Sequence, residues 1–338
     1  MAISRVIFHL TDRCQLDCLH CLRDPARRPL DLPLAMVERV LDEAIALHRV
    51  SHVGLTGGEP TLHPELEGVL DAIARRGLTW HLVTNGARIQ HLVALLEAVP
   101  SRREALTIVD LSLDGAHAAT HDAIRGPGSH REAMAAALAC KARGIPFAIQ
   151  MTVSARNVGE IEDLALAAAH LGAARVSVAM MQATGTDDDA RLHLPASAWR
   201  TVKDRVDRLG AALQIPVTAA EGFARPSPFH VCEPWRGEPL HVDPRGRLTL
   251  CCQLSGVPGG DEEILADLAV TSLADAHRRL VDRVHVLQRE RLDALQAGGL
   301  GEWDLFACNT CLRRHGKPHW VDGGSAGPLA VRARRNGR

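Results

Sequence analysis

The feature that most constrains this chain is an alternation. Between residues 3 and 182, short runs rich in Val, Ile and Leu take turns with amphipathic stretches of helical period. The runs Val6–Leu10, His52–Thr56, Thr79–Thr84, Thr107–Leu113, Ile145–Val153 and Arg175–Met181 are predicted strands. Between them, helices are predicted over Leu34–His48, Pro64–Arg76, His91–Ala98, Arg131–Arg143 and Ile161–Leu171. The first carries apolar residues at 37, 40, 41, 44, 45 and 47, one face of a 3.6-residue period. Gly144 and Gly172 supply the stop signals of the last two. Strands alternating with helices of this length imply βαβ units and a parallel sheet. Six units in about 180 residues are too few for a closed eightfold barrel. The expected fold class is therefore α/β, a partial (β/α)6 TIM-type barrel.

After Met181 the texture changes. Thr184–Asp189 reads as a polar linker, and a helix over Ser197–Leu213 follows Pro195. Beyond Pro216 the chain is rich in loop formers, and five of its nine cysteines lie between 232 and 311. Leu240–Cys252 is a predicted hairpin, with Asp243, Pro244, Arg245 and Gly246 as its turn. Ala269–Leu295 is predicted helical, and Gly323–Arg338 is a Gly- and Arg-rich tail. The organisation expected is a barrel over 1–183, a linker and helix over 184–228, a small loop-rich unit over 229–320, and a flexible tail over 321–338.

Composition narrows the partners. With 39 basic and 40 acidic residues, the net charge of −1 leaves no surplus of cations for a dominant phosphate-binding surface. Nucleic acid is not an expected partner. No window approaches the roughly 18 apolar residues of a membrane span, and the first residues do not read as a signal peptide. Nine cysteines in such a chain point to a reducing compartment, where clustered thiols mean metal or catalysis. A cytoplasmic location is expected.

Cys14, Cys18 and Cys21 stand directly after the first strand, in the spacing C-x3-C-x2-C. Three thiolates on one loop can hold three corners of a [4Fe–4S] cluster and leave the fourth iron open. Zinc, with His20 as a fourth ligand, is the alternative. Three further strand ends carry polar or Gly-rich motifs: Gly57-Gly58-Glu59-Pro60, Thr84-Asn85-Gly86 and Ser112-Leu113-Asp114-Gly115. The carboxyl ends of parallel strands are where α/β barrels place their chemistry. Farther on, Cys232, Cys251, Cys308 and Cys311 offer four more thiols, for which a closed zinc site is again the alternative. Cys252, next to Cys251, points to the opposite face of a strand. It is either a small buried residue or a thiol that returns a hydrogen atom to a substrate radical. Cys140 reads as core; His63, His117, His241 and His319 read as structural or surface.

With these motifs in place, residues 5–182 resemble the radical S-adenosylmethionine (SAM) superfamily. The resemblance implies that Cys14, Cys18 and Cys21 bind a [4Fe–4S] cluster whose open iron chelates SAM. It implies that Gly57, Gly58 and Glu59 border SAM, with Glu59 at its amino group, and that Ser112 and Asp114 lie near the ribose. Arg125 matches an arginine that approaches the SAM carboxylate. One departure is visible: the position before the third cysteine, usually aromatic, is His20, free to stack or hydrogen-bond. Residues 229–315 resemble the twitch extension, a shortened SPASM domain, which implies an auxiliary [4Fe–4S] cluster on Cys232, Cys251, Cys308 and Cys311.

The implied chemistry is reductive cleavage of SAM to a 5′-deoxyadenosyl radical that abstracts hydrogen from a C–H bond. A flavodoxin- or ferredoxin-type protein is the implied reductant. The substrate expected is a small polar, sugar- or aminocyclitol-like molecule, dehydrogenated or epimerised, with Cys252 as hydrogen donor in the second case. The alternatives are a maturase acting on a ribosomally made peptide and a non-catalytic metal-bound scaffold. A first strand beginning near residue 5, with no leader-binding domain before it, is the feature that favours the small molecule. Asp187, Asp188 and Glu221 are candidate general bases.

Overall fold

The computed structural model describes residues 3–22, 28–182, 192–225, 227–251, 264–308 and 311. Seven parallel strands follow one another in chain order: β1 (Arg5–His9), β2 (His52–Thr56), β3 (Thr79–Thr84), β4 (Leu106–Ser112), β5 (Phe147–Val153), β6 (Val176–Met180) and β7 (Val217–Ala219). On the other side of β1 the sheet continues with β8 (Pro239–Val242), also parallel, then antiparallel β9 (Arg247–Thr249) and β10 (Ile264–Asp267). The order β10-β9-β8-β1-β2-β3-β4-β5-β6-β7 makes one open sheet, the wall of a partial barrel. The helices are α1 (Leu34–His48), α2 (Leu66–Arg75), α3 (Ile89–Ala98), α4 (Pro100–Ala105), α5 (Ala118–Arg125), α6 (Ser129–Ala142), α7 (Ile161–Leu171), α8 (Ala196–Ala212), α9 (Glu221–Ala224), α10 (Glu233–Arg236) and α11 (Leu273–Gln296). Among the described residues, no helix is long and apolar enough to cross a membrane.

Alternation along each strand decides which face packs. On β1, Val6 and Phe8 are fully buried, as are Trp80 and Leu82 on β3. Each such side chain contributes roughly 1.5–3 kcal/mol by leaving water. One polar clamp is built into this layer: Arg102 of α4, 2% exposed, grips Asp71 of α2 at 2.6 and 2.9 Å and Glu67 at 2.8 Å. Its own carbonyl accepts from the Trp80 indole at 3.1 Å. Cys140 is buried on α6, as expected of a core residue.

The opposite faces of the strands are polar. His52 Nε2 and His81 Nδ1 lie 2.7 Å apart on neighbouring strands, and Arg175 donates to Asp110 at 2.5 Å. Gly54 makes room for this layer: a Cβ there would lie 2.5 Å from Ile7 Cδ1 and 2.7 Å from the His81 ring.

Two differences from the sequence reading stand out. The sheet does not stop at six parallel strands, because β7 and β8 extend it at either end. The hairpin expected over 240–252 is present as β8 and β9, but β8 pairs with β1, so its residues join the barrel wall. The linker over 184–189 and the tail over 323–338 lie outside the described residues, with Asp187, Asp188, Cys252 and His319.

Candidate active site

The loop after β1 is held at both ends. Leu10 N donates to the Thr56 carbonyl at 2.8 Å, and Gly58 N and Glu59 N donate to the Thr11 and Arg13 carbonyls, each at 2.7 Å. So close a contact needs glycine. A Cβ on Gly58 would lie 2.3 Å from the Arg13 oxygen; one on Gly57, whose φ is +141°, would lie 2.6 Å from the Thr11 oxygen. Farther along, Cys21 N closes a turn onto the Cys18 carbonyl at 3.0 Å, and Leu19 N reaches the Ile124 carbonyl of α5 at 2.9 Å. Cys14, Cys18 and Cys21 are thereby presented together to one cleft.

That cleft, of about 330 Å³, opens at the carboxyl ends of the strands. His9, Thr56, Val83, Ser112 and Thr152 line it, one from each of five consecutive strands. The cysteine trio, Gly57, Gly58, Asn85 and Arg125 complete the near wall, and Asp243, Arg245 and Arg247 of the β8–β9 turn supply another side. Asp243 shapes that turn by accepting from the backbone of Arg245 and Arg247, each at 2.9 Å, and pairs with the Arg247 guanidinium.

Two carboxylates expected at the cofactor stand behind the wall. Glu59 is fully buried and accepts from Thr61 N at 3.1 Å, Thr61 Oγ at 2.6 Å, Thr84 Oγ at 2.8 Å and Asn85 N at 2.8 Å. It thus locks the end of β3 to the Gly-Gly turn after β2. Asp114, also fully buried, accepts from Arg125 Nε at 2.5 Å and from Thr152 N at 2.7 Å, and lies 2.7 Å from His20 Nε2. Burial works against its charge, but the Arg125 guanidinium and the His20 ring outweigh this and hold its carboxyl well below the usual range. Of the two roles open to His20, stacking or hydrogen bonding, the structure shows the hydrogen bond. Arg125 sits near the Cys18 and Cys21 sulfurs. Burial pushes the Cys18 thiol up to about 12 even with the Arg125 guanidinium nearby, so a thiolate there needs a further cation, which a metal cluster can supply.

The second set of cysteines gathers elsewhere. Cys232 caps the start of α10, Cys251 follows β9, and Cys308 and Cys311 lie beyond a single helical turn at Glu302–Leu305. Cys232 is buried, and its thiol is raised to about 12 by burial, then by the nearby Cys251 sulfur. Among the described residues, no three His, Cys, Asp or Glu side chains converge on one point fit for a single metal ion. A cubane binds its thiolates at separate irons, so a soft all-sulfur donor set can hold it without converging on one point.

The remaining candidates fall outside the cleft. Glu221 pairs with Arg236 at 2.8 Å. His63 is buried and bonded to the Leu32 carbonyl at 2.9 Å, while His117 is exposed. Sequence reasoning passed over His9, which lines the cleft and whose Nε2 has no hydrogen-bond partner among the described residues. A histidine closing a strand just before the cysteine loop was the available signal. His241, on the neighbouring strand β8, is buried, with neither ring nitrogen bonded among the described residues.

Comparison with known proteins puts a family to this arrangement. Residues 8–168 match the radical SAM superfamily. A PqqA peptide cyclase of Methylobacterium nodulans is 31% identical over 320 residues, covering 91% of this chain and 78% of the relative. The mycofactocin maturase MftC of Mycobacterium tuberculosis is 34% identical over 191 residues, 55% of this chain and 47% of MftC. Streptococcus suis SuiB, crystallised with its precursor peptide SuiA, shares the fold with a TM-score of 0.66 at 15% identity. That match covers 82% of this chain and 64% of SuiB, so the chain spans less than two thirds of SuiB.

The expectation of a sugar- or aminocyclitol-like substrate is overturned by these likenesses, since the relatives are a peptide cyclase, a maturase and a protein seen with a precursor peptide. What favoured the small molecule was the position of the first strand, which bears on where a leader binds and not on what the cleft accepts. The cysteine loop, the Gly-Gly turn and the partial barrel together carry the assignment: this chain belongs to the radical SAM superfamily.

Proposed function

We propose that this chain is a radical SAM enzyme that modifies a ribosomally made peptide. The observation that carries the reading is its 31% identity, across 91% of its length, to a PqqA peptide cyclase. The family implies SAM and a [4Fe–4S] cluster, which when bound supply one-electron cleavage of SAM and a radical able to take hydrogen from a C–H bond.

The chain's own residues then have distinct tasks. Cys14, Cys18 and Cys21 hold the cluster from one loop, and Gly57 and Gly58 keep that loop against β2. Ser112 and Arg125 face the cleft where SAM would lie. Arg125 places a cation beside the thiolates and beside any anionic group bound in the cleft, while Asp114, itself bonded to His20, fixes its position. Glu59 sets the strand ends against which the ammonium end of SAM would rest. Asp243, Arg245 and Arg247 form the side of the mouth that a peptide backbone, rich in donors and acceptors, would meet.

The C-terminal cysteines Cys232, Cys251, Cys308 and Cys311 would hold an auxiliary [4Fe–4S] cluster within a twitch-type unit over 229–320, and a flavodoxin- or ferredoxin-type protein would supply the electron. Cys252, beside one of these ligands in sequence, is the candidate hydrogen donor.

The test is incubation of reduced, reconstituted enzyme and SAM with short precursor peptides encoded beside its gene. The reading expects 5′-deoxyadenosine together with a mass or stereochemical change in one peptide. Turnover of aminosugars with no peptide modified would overturn it.

A further inference from the structure

Arg291, on α11, has no part in the proposed reaction. Arg291 is 4% exposed, and its guanidinium donates to four main-chain carbonyls: Pro228 at 2.8 Å, Ser227 at 3.2 Å, Asp304 at 2.9 Å and Leu305 at 3.5 Å. These carbonyls belong to two segments about 75 residues apart in sequence, one leading into Cys232 and the other into Cys308 and Cys311. The same two segments also meet directly, Ser227 N donating to the Leu305 carbonyl at 3.1 Å. One turn earlier on α11, Gln288 donates to the Trp235 carbonyl of α10 at 2.9 Å, and the Arg291 guanidinium lies 5.9 Å from the Trp235 ring centre. α10 starts immediately after Cys232.

A buried guanidinium is expensive to desolvate, and neutral carbonyls offset only part of that loss. Burial lowers the pKa of Arg291, and the Cys311 sulfur, the Asp304 carboxylate and the Cys232 sulfur nearby act in the other direction, more strongly once the sulfurs are thiolates. A second feature shows that the thiols sit where packing dictates. A Cβ on Gly222 would fall 2.0 Å from Cys308 Sγ, so the sulfur occupies the space a side chain would take.

We infer that Arg291 is the positioning residue of the C-terminal thiol centre: it clasps the two ligand-bearing segments together and supplies the positive charge that their thiolates require. The inference rests on the reading that these four cysteines hold an auxiliary cluster. An anionic all-thiolate cluster is a better counter-charge for Arg291 than neutral thiols are, so binding the cluster and burying the arginine support each other. Removing the charge should therefore both weaken the site and make its cluster harder to reduce.

The experiment uses the full chain with Cys14, Cys18 and Cys21 all changed to Ala, so that only the C-terminal site can carry a cluster. After anaerobic reconstitution, iron per chain and the midpoint potential from an EPR-monitored titration are compared for this parent, Arg291→Gln, Arg291→Lys and Gly222→Ala. The parent should hold about four irons. Arg291→Gln should lose most of them, with the remaining cluster shifted to a more negative midpoint. Arg291→Lys, which keeps the charge but not the fork, should retain a midpoint near the parent's with lower occupancy, and should carry the comparison if the Gln variant does not fold. Gly222→Ala should lose iron by displacing Cys308. A Gln variant with the parent's iron and midpoint would overturn the role of Arg291 while leaving the cluster reading intact. A well-folded parent that binds no iron would overturn the cluster reading and the inference with it.

Discussion

At the scale of single residues, the functional motifs do more structural work than their types suggest. Gly57 and Gly58 read in sequence as places where backbone approaches a ligand, and both border the cleft. What demands glycine is the chain's own cysteine loop: a Cβ at Gly58 would lie 2.3 Å from the Arg13 oxygen. Gly58→Ala must push that loop off β2, and its iron content after reconstitution should fall several-fold while β-sheet circular dichroism is retained. Glu59 teaches the same lesson. Its carboxylate accepts four hydrogen bonds and is fully buried. Glu59→Gln turns one acceptor into a donor facing donors, which should lower stability by about 2–3 kcal/mol in urea titration; a change below about 0.5 kcal/mol would mean that Glu59 does not hold the two strand ends. These partners were not legible in the sequence. Thr61, Thr84 and Asn85 meet Glu59 only once β2 and β3 lie side by side, and neither that pairing nor the orientation of the carboxylate is encoded in a tripeptide.

At the scale of elements, long periodic segments were legible and short ones were not. α1 and α7 match their expected spans of 34–48 and 161–171 because each has a continuous apolar face. α4, of 6 residues, and α5, of 8, were missed. Helices this short show no clear period, and their stability comes from tertiary partners such as the Arg102 clamp. The polar layer on the inner strand faces makes a prediction of its own. Burial holds the His52 and His81 rings down at about 4, well under the ordinary 6.5. Both are neutral in the folded chain at pH 7. Between about 6.5 and 4 the unfolded chain binds more protons, so this contribution is fully present above pH 6.5 and lost as pH falls toward 4. For the more deeply buried His81 the loss is on the order of 3 kcal/mol at most, and less for half-buried His52. The melting temperature should decline across that window, and His81→Gln should show a shallower decline; parallel curves would contradict the buried-pair account.

At the scale of the whole molecule, the α/β class, the parallel sheet and the location of the site at the strand ends were all readable from alternation and motif order. The extension of the sheet at either end was not. β7 has 3 residues, too few to display a pattern, and β8, although expected as a hairpin arm, enters the sheet beside β1 across more than 200 residues of sequence. That long-range pairing brings Asp243, Arg245 and Arg247 to the cleft, joining residues of the C-terminal region to a site otherwise built from the first 182 residues. The mouth is shaped partly by residues that no local motif connects to the cysteine loop. Each cysteine set, moreover, has its own buried arginine, Arg125 for the first and Arg291 for the second. Cys232→Ala should consequently halve reconstituted iron, from about eight to about four per chain, without abolishing cleavage of SAM.

The account stands or falls with the loop that follows β1. The most direct measurement is 5′-deoxyadenosine formed by the anaerobically reconstituted, chemically reduced chain in the presence of SAM, compared with the Cys14→Ala, Cys18→Ala and Cys21→Ala variants. The expected result is product from the unaltered chain and none above background from any of the three. Equal product from a variant, or none from a fully iron-loaded unaltered chain, would contradict it.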